Sequence, residues 1–494
     1  MSDLIIEKVD EVNIRVRCER SFAKELSDYF TFKVPGHKYM PAFRSKVWDG
    51  TIKLYNMFSQ EIYAGLIDYV LSFANERNYS FELTMDVPQN RADENLVRRY
   101  MESNLSVSVK DKAIKPHDHQ VNAITHAIRK ERCLLLSPTG SGKSLIIYTL
   151  MRHYLEKTNK KILIIVPTTG LVTQMYSDFA DYSGINEWDV ESNVHKIYGG
   201  QEKQTNKRVV ISTWQSLYKM PAKFFENFDV VFGDECHLFK AKSLTNIMSK
   251  LKNARYRIGT TGTLDGALTH KLVIEGLFGP VKDVTTTKEL MEKDILSQLE
   301  IDCILLDYED EEKKLVKNLK YPEEMKWIVS SEKRNKFISK LSGSTNGNTL
   351  VLFQFVENHG KKLYERIKIE NPNKKVFLIH GGVETEDRER VRGIAEKEKN
   401  AIIVASYGTF STGINIKNLH NIVFASPSKS RIRILQSIGR QLRKHESKKV
   451  AKLFDIGDNL QWKKRMNHTL RHFFERIKIY KIEGFSFKTI KFKI

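Results

Sequence analysis

Ser137-Pro138-Thr139-Gly140-Ser141-Gly142-Lys143-Ser144 follows the apolar run Cys133–Leu136 and leads into Leu145, Ile147, Leu150, Met151 and Tyr154, which are spaced for one face of a helix. Strand, glycine-rich turn and helix in that order make a nucleotide phosphate loop. The loop commits its surroundings to an α/β fold, because it has to stand at the carboxyl end of a buried strand. Gly140 and Gly142 let the backbone curl so that its N–H groups face a β-phosphate. Lys143 can then reach the β- and γ-phosphates, and Ser144 can ligate Mg²⁺. The usual pattern opens on Gly, whereas Ser137 stands here.

A second element completes half of an ATP-hydrolysing site. Phe228–Gly233 reads as a short buried strand that delivers Asp234 and Glu235 at its carboxyl end, followed by Cys236 and His237. Asp234 is placed to hold Mg²⁺, and Glu235 to orient and deprotonate the attacking water. Gln120, at the start of a helix through Val121, Ile124 and Ile128, can read the edge of adenine. Taken alone, two acids after a strand are often a solvated loop, and a glutamine on a helix is often plain surface.

The apolar-strand-then-polar-turn design recurs. Ile162–Val166 runs into Pro167-Thr168-Thr169, Val209–Ile211 into Ser212, Thr213, Trp214 and Gln215, and a further turn reads Gly259-Thr260-Thr261-Gly262-Thr263. Hydroxyls and free backbone amides at strand ends suit the phosphates of a nucleic-acid backbone. After residue 300 a second series of buried strands begins with Leu350–Phe353, Lys375–Ile379 and Ala401–Ser406, followed by Phe410–Asn415 and Gln436–Arg443. Arg440 and Arg443 are spaced i, i+3, so a helix would put both guanidinium groups on one face, as an arginine-finger pair acting on the transferring γ-phosphoryl. The spacing does not rank the two.

In this order, Gln120, residues 137–144, 165–175, 212–216, 234–237, 259–264, 351–355, 411–416 and 436–443 resemble the motif series of superfamily 2 helicases. Within them the chain is similar to the phage UvsW type, which extends the likeness to Pro41–Gly50. The resemblance implies two RecA-like parallel-sheet lobes in tandem, with ATP between them and nucleic acid across their top. It assigns ATP contacts to Gln120, residues 137–144, Gly413 and Gln436, and coupling to His237, Thr261 and Thr263. Nucleic-acid contacts fall to Pro167, Thr168, Thr169, Thr213, Trp214, Gln215 and Thr412. Thr261-Gly262-Thr263 replaces the more usual Ser-Ala-Thr.

At 494 residues the chain is too long for one core. The expected layout is an α+β module over 1–110, lobe 1 over 113–295, lobe 2 over 296–458 and a basic extension over 459–494 packed on lobe 2. Strand, helix, hairpin, helix, strand across 1–110 is the split βαβ order, with the hairpin turn at Asp49-Gly50 between Lys46–Trp48 and Thr51–Leu54. Around that hairpin Lys38, Arg44 and Lys46 can bind phosphates, and Trp48 can stack on a base or wedge at a junction. Alternatively, the aromatics are core and the lysines solubilise the surface. The net charge of +21 argues for a polyanionic partner. No apolar run approaches a membrane span, and Cys18, Cys133, Cys236 and Cys303 show no paired spacing, which suits a cytoplasmic protein with reduced thiols.

The expected function is an ATP- and Mg²⁺-dependent DNA helicase or translocase. Its substrates would be forks, junctions and RNA–DNA hybrids, alongside replication, recombination and repair proteins. A restriction-system motor, an RNA helicase and a nucleic-acid-binding scaffold with a vestigial ATPase remain as alternatives.

Overall fold

The computed structural model describes the chain outside residues 1, 86–89, 106, 109–111, 184–187, 384, 414–415 and 417. Ile414 and Asn415 of the expected motif series therefore lie outside the described residues. The chain divides into two compact units, Met1–Ser137 with Ser141–Thr285, and Thr286–Ile494 with Pro138–Gly140. The second unit begins ahead of the expected residue 296, because Leu290 and Met291 of helix Thr287–Glu292 pack into its core.

The first unit carries a seven-stranded sheet in the order Val194–Ile197, Val209–Thr213, Lys161–Val166, Phe228–Gly233, Tyr256–Thr261, Arg132–Leu136, Val281–Asp283. All of its pairings are parallel. A parallel sheet is covered on both faces, so its strands read as near-continuous apolar runs. The runs 133–135, 162–166 and 230–232 are fully buried accordingly. The register sets the carboxyl ends of Phe228–Gly233, Tyr256–Thr261 and Arg132–Leu136 side by side.

The N-terminal module belongs to this same unit. Its mixed sheet runs Glu61–Tyr63, Asn13–Cys18, Leu4–Lys8, Phe81–Leu83. The parallel strands Leu4–Lys8 and Phe81–Leu83 are adjacent, with no strand inserted between them as a split βαβ unit would have. The expected Asp49-Gly50 hairpin is also different. Thr51–Lys53 pairs instead with Thr31–Lys33, and residues 34–50 form an insertion between the two. Asp49 does not close a tight turn; its carboxylate accepts from the Thr51 N–H at 2.9 Å and the Thr51 hydroxyl at 2.7 Å.

The module docks on helix Leu268–Phe278 by backbone contact. A Cβ on Gly65 would stand 2.1 Å from the Glu275 carbonyl, and one on Gly276 would stand 2.8 Å from the Tyr63 ring. Leu272 of that helix lies inside the module's own core, and the Tyr69 hydroxyl donates to Glu275 Oε2 at 2.8 Å. Arg257 is fully buried and donates only to carbonyls: Leu277 at 2.8 Å, Leu251 at 3.0 Å, Met248 at 3.0 Å and Glu11 of the module at 3.3 Å. Burial, and then the neighbouring Arg132 charge, pulls its pKa down to about 9, which still leaves it charged at neutral pH.

The second unit repeats the design with Val376–Ile379, Ile402–Ser406, Thr349–Phe353, Asn421–Phe424, Val450–Asn459, Gln298–Asp307 and Phe487–Lys493 in one sheet. Its pairings are again parallel. The C-terminal segment is thus more than a packed extension, since its last strand forms the sheet's edge. The basic character of that strand is taken up locally. Lys488 pairs with Asp302 at 3.4 Å, Lys491 with Asp307 at 2.9 Å and Lys493 with Glu309 at 3.3 Å. Such charges also blunt an edge against pairing with other chains.

Two buried ion pairs hold this unit together. Arg476 of helix His468–Ile482 bonds Asp455 at 2.7 Å and the carbonyls of Ser428 and Ile456, and the Tyr480 hydroxyl caps the same carboxylate at 2.8 Å. Arg334 bonds Asp458 at 2.8 Å and the Ala425 carbonyl at 2.7 Å, with Tyr308 as third donor. Removing one partner strands the other charge, at a cost of about 3–5 kcal/mol, whereas replacing both with apolar groups costs far less. Arg476→Met is therefore expected to lower the urea midpoint sharply, and Arg476→Met with Asp455→Leu to recover most of the loss.

Candidate nucleotide and nucleic-acid sites

The two ends of the phosphate loop, Ser137 and Ser141–Ser144, are braced by residues of the first unit. Gly140 and Gly142 take left-handed backbone angles, φ 89° and 86°, and Gly142 caps helix Lys143–Lys157. Glycine is required at 142, since a Cβ there would stand 2.2 Å from Gln120 Nε2. Gln120 is buried, donates through Nε2 to the Ser141 carbonyl at 3.0 Å and accepts through Oε1 from the His117 N–H at 3.0 Å. One N–H and one lone pair of its amide thus brace the loop. His119, which the sequence reading passed over, places Nε2 2.9 Å from the same Ser141 carbonyl. Its only sequence signal was its place beside Gln120 in the first helical turn.

Ser137 accounts for the departure from Gly at the loop's first position. Its side chain is buried, with Oγ 2.6 Å from Ser141 Oγ, and its N–H donates to the Thr261 carbonyl at 2.8 Å. Lys143 Nζ donates to the Ser137 carbonyl at 3.2 Å, and Ser144 Oγ lies 3.1 Å from the Tyr182 hydroxyl.

Asp234 and Glu235 leave strand Phe228–Gly233 on the neighbouring side of this loop. Asp234 is buried, and the Thr260 hydroxyl donates to its Oδ1 at 2.8 Å. Burial first, then the charge of Glu235, raises the Asp234 pKa, while Lys143 opposes the shift. Glu235 adopts φ 53° and ψ 50°, a left-handed conformation that costs a non-glycine residue about 1–3 kcal/mol and is found where a side chain has to be aimed. His237 Nδ1 lies 3.1 Å from Thr261 Oγ1 and 3.3 Å from Glu235 Oε2. Because the Thr261 hydroxyl donates to the Thr263 carbonyl at 3.3 Å, the imidazole nitrogen is the donor to both oxygens. The unusual Thr261-Gly262-Thr263 stretch therefore stays wired to the acidic motif, and Thr260, absent from the expected set, joins it.

A hydroxyl from Ser144 and a carboxylate from Asp234 are hard oxygen donors of the kind Mg²⁺ takes together with phosphate oxygens and water. The donor set fits that ion.

The expected nucleic-acid residues of this unit stand together at the carboxyl ends of two adjacent strands. Val166 and Thr213 are register partners, which brings Pro167-Thr168-Thr169 beside Trp214 and Gln215. Gln215 Nε2 donates to the Pro167 carbonyl at 3.4 Å, and Thr168 caps helix Thr169–Tyr182.

In the second unit Thr412 and Gly413 end helix Tyr407–Gly413, and Gln436 and Arg440 lie on helix Arg431–Gln441. The Arg440 guanidinium sits 5.8 Å from the centre of the Phe410 ring. Arg443 departs from expectation. The helix is capped at Leu442, and Arg443 lies beyond it in an antiparallel bridge with Leu296, so the two arginines do not share a helical face. In the N-terminal module Lys38, Arg44 and Lys46 are exposed. Trp48 is half-buried, and its indole N–H donates to the Thr51 carbonyl at 2.8 Å.

Along the sequence, residues 3–84 match the family model "DNA helicase UvsW, N-terminal". Residues 113–266 match "Type III restriction enzyme, res subunit", and 332–445 match "Helicase conserved C-terminal domain". The chain is 37% identical to the ATP-dependent DNA helicase uvsW of Enterobacteria phage T4, over 98% of both chains. It belongs to the UvsW family of DNA helicases. The crystal structure of T4 UvsW covers 99% of each chain at 34% identity, with a TM-score of 0.52. A 23% identical relative, the DNA 3'-5' translocase XPB2 of Sulfurisphaera tokodaii, covers 87% of this UvsW-family chain and 95% of its own. A putative type I restriction HsdR subunit fragment from Vibrio vulnificus, 17% identical with a TM-score of 0.58 over 81% of this chain and 72% of its own, shares the fold.

Thr260→Val removes a hydrogen bond to a charged group worth about 1.5–3 kcal/mol. The expected result is at least tenfold weaker Mg²⁺-dependent binding of a fluorescent ATP analogue, with Mg²⁺-independent binding little changed.

Proposed function

We propose that this ATP-dependent DNA helicase remodels branched DNA, forks and four-way junctions above all, and acts in the host-cell cytoplasm beside replication, recombination and repair proteins. The observation that carries the proposal is the shared core of the N-terminal module and the first lobe. Leu272, Glu275 and Arg257 of the lobe are bound up with the module, so a second nucleic-acid-binding surface is fixed to the lobe that holds the phosphate loop. RNA–DNA hybrids are a further substrate class of the same shape. No helix among the described residues is long and apolar enough to cross a membrane.

In this reading Gln120 and residues 137–144 hold ATP, with Gly413 and Gln436 contributing from the second unit. Ser144 and Asp234 would hold Mg²⁺, which would supply charge neutralisation on the phosphate oxygens. Glu235 takes a proton from the attacking water, and its aim is set by its backbone and by the His237 N–H. Through His237, Thr261 and Thr263 the acidic motif is joined to a neighbouring strand end, and the adjacent strand ends carry the join on to Thr168 and Thr213, which contact the nucleic-acid backbone. Arg440 and Arg443 act on the γ-phosphoryl. Arg440 on its helix and Arg443 beyond the helix cap approach that group from separate placements.

Lys143→Ala is expected to abolish ATP hydrolysis and unwinding while DNA affinity is largely kept. Wild-type turnover in that variant would overturn the assignment. Arg443→Ala is expected to cut kcat by about 10³-fold or more with little change in KM, as a group acting chiefly in the transition state does.

The branched-DNA reading is tested on the full chain. Deleting the module would strip Leu272 of its surroundings and leave Arg257 without the Glu11 carbonyl. Neutralising Lys38, Arg44 and Lys46 together is expected to flatten the slope of log K against log salt by roughly 0.7–0.9 per lost phosphate contact. Processing of forks and four-way junctions should fall further than translocation on a single strand. Equal losses on all substrates would refute the reading.

A further inference from the structure

Residues 34–50 fold around a small core of their own and leave two of their apolar side chains outside it. His37 Nδ1 meets the Val34 carbonyl at 2.8 Å, and its ring packs edge-on against Phe43 at 4.8 Å. Gly50, at φ 80°, lies so close that a Cβ would stand 2.6 Å from the His37 ring. Trp48 turns inward to Thr51. Outside this small core, Tyr39 is 79% and Val47 81% exposed, and Met40 is partly so.

The turn that presents Val47 is strained. Helix Pro41–Arg44 is closed by the Lys46 N–H to the Phe43 carbonyl at 3.1 Å and the Val47 N–H to the Ala42 carbonyl at 3.0 Å. This is the closure that normally uses glycine at the left-handed position and folds the next apolar residue back onto the helix. Here Lys46 holds φ 58°, and Val47 faces solvent instead. Neither choice serves the fold, since glycine would close the same turn without strain.

Charge selects the occupant. Lys33, Lys38, Arg44, Lys46 and Lys53 are all exposed. The one acid among them, Asp49, already accepts two hydrogen bonds from Thr51. The module that carries this surface shares its core with the lobe that carries Thr168 and Thr213. We propose that Tyr39 and Val47 form an apolar wedge that presses on the terminal base pair where single strand meets duplex, while Lys38, Arg44 and Lys46 hold the phosphates of the two strands. This rests on the branched-DNA reading and moves the stacking role from Trp48 to these two residues.

The test uses the full chain and forked DNA carrying 2-aminopurine in the base pair at the junction. Wild-type protein is expected to raise its fluorescence, which reports unstacking, and to bind the fork more tightly than single-stranded DNA of equal length. Tyr39→Ser with Val47→Ser should lose most of the fluorescence rise and roughly tenfold of the fork preference, the size of one lost base stack. Phe58→Ser removes an equally exposed ring outside the insertion and should keep both. Lys46→Gly should flatten the salt slope by roughly 0.7–0.9, with the melting temperature unchanged or raised. Circular dichroism melts establish that each variant is folded.

Unchanged fluorescence and fork preference in the double variant would overturn the wedge while leaving the branched-DNA reading intact. A wild-type protein without fork preference would overturn that reading itself. Loss of binding to anionic phospholipid vesicles in the double variant, with DNA behaviour unchanged, would assign the surface to a membrane and equally overturn the wedge.

Discussion

The hydrogen bond from the Ser137 N–H to the Thr261 carbonyl fixes where the phosphate loop begins relative to the strand beside it. Thr260 and Thr261 sit on that strand, and their hydroxyl groups reach Asp234 and His237. Loop, acidic motif and coupling residues are thus three consecutive strand ends of one parallel sheet, and a shift of one register step in either neighbour would separate them. The burial that makes the sheet rigid also raises the cost of ionising Asp234.

Much of this was legible in the sequence because the chemistry and the fold use the same residues. Apolar runs such as Ile162–Val166 can only be buried strands, and the polar residues after them can only be strand ends. What escaped reading has a common cause. Thr260, His119 and Tyr182 act through neighbours far along the chain, and nothing in their local pattern announces those partners. Arg443 was misplaced because i, i+3 spacing presumes a continuing helix, and the cap at Leu442 is a tertiary outcome. Asp49-Gly50 has the composition of a tight turn, yet the competing pairing of Thr31–Lys33 with Thr51–Lys53 won.

Charge gave a similarly mixed signal. The surplus of cations argued for a polyanionic partner, but position decides what each one does. The lysines of the last strand face Asp302, Asp307 and Glu309, whereas those of the 34–50 insertion face solvent with apolar side chains among them. Arg257, Arg334 and Arg476 spend their charge entirely inside the protein.

The edge strand Phe487–Lys493 lies next to Gln298–Asp307, which precedes it by most of the second unit. During synthesis the first unit's strands are all available once residue 285 has emerged, but the second sheet lacks its border until Phe487–Lys493 has emerged. At about 5–20 residues per second that interval is on the order of 10–40 s. Once made, Gln298–Asp307 offers an unpaired edge for most of it, and the carboxylates of Asp302 and Asp307 on that strand guard it against premature partners. The second sheet is therefore closed by a strand made long after the strand it borders.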